Sequence, residues 1–482
     1  MNEAVAATPR GFRHDLRRGL GSALLMLRSS AAPQDYVEAV RWACLHMTTY
    51  DYQCEGGRGW YLHQAATLTG SAQSIEAEVI GRFAVCSPDK WRFDYLTDTL
   101  VLFALDGSER SRKTLWDSYS RLMARFARTV RRDGWWPSMS SLESLALDLT
   151  RVDGWEAART ALSDFGDSLA TGPEAPEHAR WQYFPDWFDS AVREQFGEAT
   201  VDAYLADQPS PGRRAYAETA AVSRARLESS GQRPEPTLEL FVDLVEQVRR
   251  DQLASRPPQS AGPGLRPAKM RFWPLGMRLR SVGRRLCRHD PAAAEQVARL
   301  GLTESDPVVK AAILRLFWKQ TFPLPDADLA PLVDADDAEL RWAVRSILGQ
   351  RPADWKRRHA LQLLQDREQL EQVDEALELL QASYRPEDEP VVEAAVRRVS
   401  LRHSAWHSVY SQVLDLLRPD DRPVTTGVLE HVYRQTLCSC CRESTVRLMR
   451  DKQALPDTIV RECLWDSNDE IRDLAAQLTT TD

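Results

Sequence analysis

The spacing of apolar residues leaves this chain one class of fold. Segments 36–47, 237–253 and 355–384 place them three and four positions apart, which draws a single stripe down an α-helix. Strand-like alternation does not persist beyond four residues. The Asp-Gly pairs at 106, 133 and 153 fall between helical segments rather than between β-branched runs, so they do not read as hairpin turns. The chain is expected to be all-α.

Proline and glycine divide it. Residues 254–276 are rich in both and poor in helix formers, and between 252 and 289 there are nine Lys or Arg and no acidic residue. Proline removes a backbone donor and breaks helical periodicity. The expected organisation is a helical region at 1–253, a basic linker at 254–285 and a repeat array at 286–482, with a weaker break at 167–186. At 482 residues the chain exceeds what one core supports, so several domains or an elongated array are expected.

A repeat emerges in the second half. The segment from Asp306 to Ile313 aligns with Asp337 to Val344, with Glu389 to Val396 and with Asn468 to Ala475, at successive offsets of 31, 52 and 79 residues. The opening Asp or Asn is suited to cap a helix by accepting a backbone N–H, and Pro in the next position wastes no donor. The apolar positions should face a neighbour, with Lys310, Arg341 and Arg472 turned toward solvent or a partner's carboxylates. A helix pair of this size cannot bury its apolar face alone, so the pairs must stack.

This pattern resembles HEAT and related armadillo-like α-solenoid repeats, over residues 286–482 most clearly. The first half resembles the same class more faintly, as at Asp106 to Leu115, read as a turn and then a charged helix that carries Leu115 and Trp116 inward. The whole chain is similar to a group of bacterial HEAT-repeat proteins without an assigned function. The resemblance rests on an early element from Tyr50 to Arg58 and a late one from Cys438 to Arg442. It implies an α-α superhelix of stacked antiparallel helix pairs, and no particular activity.

Composition narrows the function. The net charge of -8 disfavours a dedicated nucleic-acid binder, which usually carries a basic excess. No apolar run approaches the roughly 20 residues that span a bilayer, so no membrane role is expected. The patch GSALLML at 21–27 follows several arginines and reads as part of an amphipathic helix rather than a secretory signal. Eight cysteines, at 44, 54, 86, 287, 438, 440, 441 and 463, are scattered too widely for a disulfide framework. Reduced thiols in a cytoplasmic protein are expected.

Four features bear on chemistry. The glycine-rich element with Gln53, Cys54, Glu55, Arg58 and Trp60 could present polar groups from a loop, although the glycine order excludes a phosphate loop. Cys438, Cys440, Cys441 and His431 are of the right types for zinc, but their spacing is cramped and no second Cys pair completes a knuckle; buried packing is the simpler reading. Trp135, Trp136, Trp155, Trp181 and Trp187 gather near Asp133, Asp186 and Asp189, a set able in principle to hold a flipped base. The basic linker carries Arg271, Phe272 and Trp273, suited to an anionic partner, or to docking on the acidic stretch 326–339. No metalloprotease, esterase or kinase motif occurs, and no cofactor is implied. The expectation is a non-enzymatic scaffold that binds a protein partner. The alternatives are a HEAT-like DNA-repair glycosylase or other nucleic-acid-binding protein, and a thiol- or metal-dependent regulator.

Overall fold

The computed structural model describes residues 9–46, 57–88, 91–131, 139–171, 184–207, 210–229, 236–255, 273–368, 370–399, 406–419, 422 and 426–480. Among these residues all regular structure is helical and there is no strand. No described helix is long and apolar enough to cross a membrane. Two compact units emerge: residues 1–232 together with 433–482, and residues 233–432. These limits differ from the sequence-based ones because long-range contacts, which composition does not record, tie the end of the chain to its beginning.

The first unit opens with α1 (Pro9–Arg18), α2 (Gly21–Ser29), α3 (Val37–Leu45), α4 (Arg58–Leu68), α5 (Ala72–Ala84), α6 (Trp91–Leu105) and α7 (Glu109–Arg131). The turn before α7 falls where the sequence places it, with Leu115 fully buried and the Trp116 indole N–H donating to Asp153 at 2.6 Å. The run Met139–Ala170, α8, is two helices joined at Gly154, whose φ of 63° and ψ of -142° interrupt the ladder. Then follow α9 (Asp186–Phe196), α10 (Glu198–Ala206) and α11 (Pro211–Ser229). Helix α8 is the hub, packed on α6, α7, α9 and α11.

The second unit contains α12 (Leu238–Ser255), α13 (Trp273–His289), α14 (Pro291–Thr303), α15 (Pro307–Leu314), α16 (Ala338–Leu348), α17 (Asp354–Gln365), α18 (Val373–Leu380), α19 (Glu389–Arg398) and α20 (Trp406–Leu417). Here each helix packs mainly on the next or the next but one. Two corrections follow. Residues 273–285, assigned to the linker by composition, are helical as part of α13, because the apolar spacing of Leu279, Val282 and Leu286 outweighs the flanking prolines. The stretch 355–384 is broken between α17 and α18. The chain re-enters the first unit within α21 (Thr426–Gln435) and ends in α22 (Ser439–Asp451), α23 (Asp457–Cys463) and α24 (Asp469–Thr479).

Three of the four aligned segments are capped as their sequence implies. Asp306 accepts from Val308 N and Val309 N, Asp337 from Leu340 N, and Asn468 from Ile471 N. At the fourth, the 3₁₀ turn Pro386–Asp388 precedes α19, so Glu389 lies inside the helix instead of capping it. The equivalent apolar residues Val309, Leu340, Val392 and Ile471 are all buried. The cations are less uniform than expected. Arg341 turns onto Glu375 at 2.8 Å, and Arg472 reaches the Asp466 carbonyl at 2.8 Å. Replacing Val309 or Leu340 by Asp buries an unpaired charge, and circular-dichroism melting should show the second unit's transition lost or lowered by many degrees; unchanged melting of both variants refutes the packing described.

Candidate functional site

Of the early element, Gln53, Cys54 and Glu55 lie outside the described residues, whereas Arg58 and Trp60 open α4. Arg58 is fully buried and donates from Nη1 to the Leu16 carbonyl at 3.1 Å; one turn on, the Tyr61 hydroxyl donates to the Leu20 carbonyl at 2.8 Å. Against this corner comes the other end of the chain. Ser467 N donates to the Gly19 carbonyl at 2.9 Å. A Cβ at Gly19, where φ is +75°, would lie 2.0 Å from Ser467 Oγ, and one at Gly57 would lie 2.1 Å from the Ser467 carbonyl oxygen. Glycine is required here because the two backbones approach too closely for any side chain.

The late element meets the same place. Arg442 and Asp466 are both wholly buried and pair through two bonds of 2.8 Å, Nε to Oδ2 and Nη2 to Oδ1. Arg442 also donates to Ser467 Oγ at 3.1 Å, and Asp466 accepts from Asn468 N at 2.9 Å. Outside this pair, Arg472 sits 4.1 Å over Trp60, Trp60 stacks on Trp465 at 6.2 Å, and Arg28 covers Trp465 at 4.2 Å. The described end of the early element, Gly57 and Arg58, and the late element, some 380 residues apart in the chain, thus belong to one clasp. The contacts described for Arg58 and Trp60 lie within this clasp.

The thiol cluster divides. Cys438 and Cys441 are buried at the start of α22 with their sulfurs within 4.8 Å of each other, while Cys440 is exposed. His431, in the second unit, packs edge-on against Tyr410 at 6.3 Å, and burial holds its pKa below the usual value. Of the tryptophan–aspartate group, Trp135, Trp136, Trp181 and Asp133 lie outside the described residues. Trp155 is packing, against Phe196 and Tyr204 at 5.2 and 5.8 Å. Asp189 is taken up by Arg193 at 2.9 Å and the Tyr216 hydroxyl at 3.2 Å, and Asp186 accepts from Ser223. Of the described members, Asp186 and Trp187 are exposed.

Three carboxyls respond to pH, the buried Glu143 and Asp148 on α8 and the half-buried Asp94 on α6. Burial pushes Glu143 up to about 7, although it accepts from Phe188 N at 3.1 Å, and pushes Asp94 and Asp148 up to about 6. Raised acid pKa values mean that the folded state holds protons the unfolded chain has already released. Stability therefore falls as pH rises from the unfolded carboxyl value near 4 to about 7, then levels. Replacing Glu143 by Gln should remove on the order of 2 kcal/mol of that slope, read from urea unfolding at pH 5 and pH 8; an unaltered slope would show the carboxyl to be ionised throughout.

The strongest unmet chemistry lies on α13. Leu279, Val282 and Leu286 are buried, and Arg278, Arg280, Arg284, Arg285 and Arg288 fill an opposite arc of roughly 160°. Among the described residues none of these five forms an ion pair, in contrast to neighbours such as Arg249, Arg299 and Arg315. The Nε of Arg284 and of Arg285 is shielded from water without an acceptor. Burial, then the charges of Arg280 and Arg288, lowers the Arg284 pKa. Like charges four residues apart repel on a helix, so this face costs stability.

Aromatic residues border it. Arg284 and Lys319 lie 5.7 and 5.0 Å from the Trp318 ring, Arg315 lies 4.5 Å from Trp342, and the two indoles are 5.8 Å apart. Lys319 reaches its place through a left-handed backbone, φ 60°. The Trp318 N–H donates to Glu378 at 3.3 Å, whose carboxyl burial pushes up to about 7. Met277, exposed amid the arginines, adds an apolar point.

The acidic stretch 326–339 does not neutralise the α13 face. Asp326 pairs with Arg351 and Lys356, Asp334 with Arg345 and His359, and Glu339 with Arg315, while Asp337 caps its own helix. Arg271 lies outside the described residues, and Trp273 begins α13. The sequence pointed to this run through its lack of acids but placed its weight on the linker; the apolar stripe of α13 was the signal for a rigid cationic face. No family model, curated protein or solved structure matches this chain.

Proposed function

We propose that this protein is a non-enzymatic adaptor, built partly from HEAT-like helix pairs, that holds an anionic protein partner on the arginine face of α13. One observation carries the reading: five arginines on one helix pair with no carboxylate among the described residues, in a chain that is acidic overall and pairs many of its other described arginines, the neighbours Arg249, Arg299 and Arg315 among them. A cationic face that repels itself and leaves donors unmet is poorly explained by folding and well explained by a ligand that completes it. The neighbour-on-neighbour packing of the second unit supports the solenoid reading, since such arrays present extended surfaces. The covered indoles favour a protein over a nucleic acid, because bases need an open aromatic face.

The test compares capture from the host's lysate by the wild type and by the R280E/R284E/R288E variant, each with and without nuclease. A stoichiometric protein retained by the first and lost by the second supports the adaptor. Retention of nucleic acid alone, released by nuclease, transfers the face to the nucleic-acid reading.

A further inference from the structure

We infer that the segment seated on this face is an acidic amphipathic helix, with carboxylates at positions i, i+4 and i+8 set against Arg280, Arg284 and Arg288. The inference rests on the adaptor reading above and specifies its ligand. The three arginines form a row along α13, stepping about 6 Å at each interval and about 12 Å in all. The row also turns by roughly 40° per step, because four residues overshoot a full helical turn. Carboxylates four apart on a second helix share both the step and the turn. Side chains two apart on an extended strand share only the step.

Residue type sharpens the ligand class. All five cations of α13 are arginines, whose planar fork pairs two donors with two oxygens of one carboxylate, whereas lysine offers a point charge. Burial has already stripped part of the water from Arg284, so a carboxylate there gains more than it would at a fully hydrated cation. Exposed Met277 precedes Arg284 by seven residues and lies on the same arc, which gives the partner helix an apolar contact and fixes its direction. Polynucleotides offer the charge but not this arrangement, since Trp318 and Trp342 are covered by Arg284, Lys319 and Arg315.

The probes are two synthetic helical peptides of identical composition and a single-stranded oligonucleotide, titrated by fluorescence anisotropy into the full-length protein. One peptide carries Glu at i, i+4 and i+8 beside a leucine; the other has the same residues permuted so that the glutamates do not align. The inference expects the aligned peptide to bind at least about tenfold more tightly. It also expects R280E/R284E/R288E to lose that peptide and to gain one bearing Lys in the same register. Equal binding of the two peptides overturns the helical register and leaves the adaptor reading standing. Binding of the oligonucleotide alone overturns the partner class. No binding by any anionic probe, with the protein's melting intact, overturns the adaptor reading itself.

Discussion

Replacing Asp466 by alanine is expected to destabilise the first unit by about 3–5 kcal/mol, lowering its thermal midpoint by roughly 10 °C. The reason is the complete burial of both partners. Arg442 and Asp466 expose no surface, and without the carboxylate the guanidinium keeps its charge in a site water does not reach. The loss spreads, because the Asp466 carboxylate also accepts from Asn468 N. A contrasting variant separates charge from packing. Changing Arg442 to Met and Asp466 to Leu together should restore most of the stability, since well-packed apolar side chains replace buried ion pairs at little cost. Calorimetry or guanidinium unfolding reads both. An Asp466→Ala protein that melts with the wild type would mean that the clasp does not hold the chain ends together.

The second large effect is on binding. Reversing Arg280, Arg284 and Arg288 should weaken capture of the anionic partner by a hundredfold or more, since three attractive charge pairs become repulsions. Stability should move the other way. The single change Arg284→Gln relieves repulsion from Arg280 and Arg288 and removes a shielded Nε without an acceptor, so the second unit should melt at an unchanged or slightly higher temperature. A residue that serves the fold loses stability when removed; one retained for a ligand gives stability back. If Arg284→Gln destabilised the protein while leaving binding intact, the face would be structural. The effect on binding should also shrink as salt rises, because exposed charges act over about 8 Å at physiological ionic strength.

These two regions show how unevenly the molecule could be read from its residues. Helical content, the capped entries at Asp306, Asp337 and Asn468, and the buried positions Val309, Leu340, Val392 and Ile471 were all legible, because periodicity and capping are local. Arg341 and Arg472 were misplaced for a related reason. Their positions on the helix were right, but Arg341 is drawn onto Glu375 of a later helix, and Arg472 folds back onto the Asp466 carbonyl in the turn before its own helix.

The sequence alone determined the all-helical class, the amphipathic stripes and the acid-free run that ends on α13. Each follows from neighbours within about one or two helical turns. Only the tertiary structure decided that residues 433–482 fold with residues 1–232 and that the elements around Arg58 and Arg442 are two halves of one clasp. It also decided that the arginines of α13 form no ion pair among the described residues while Asp326, Asp334, Asp337 and Glu339 are committed elsewhere. Burial and ion pairing depend on which distant segments meet, and a one-dimensional pattern of residue types does not encode that distance.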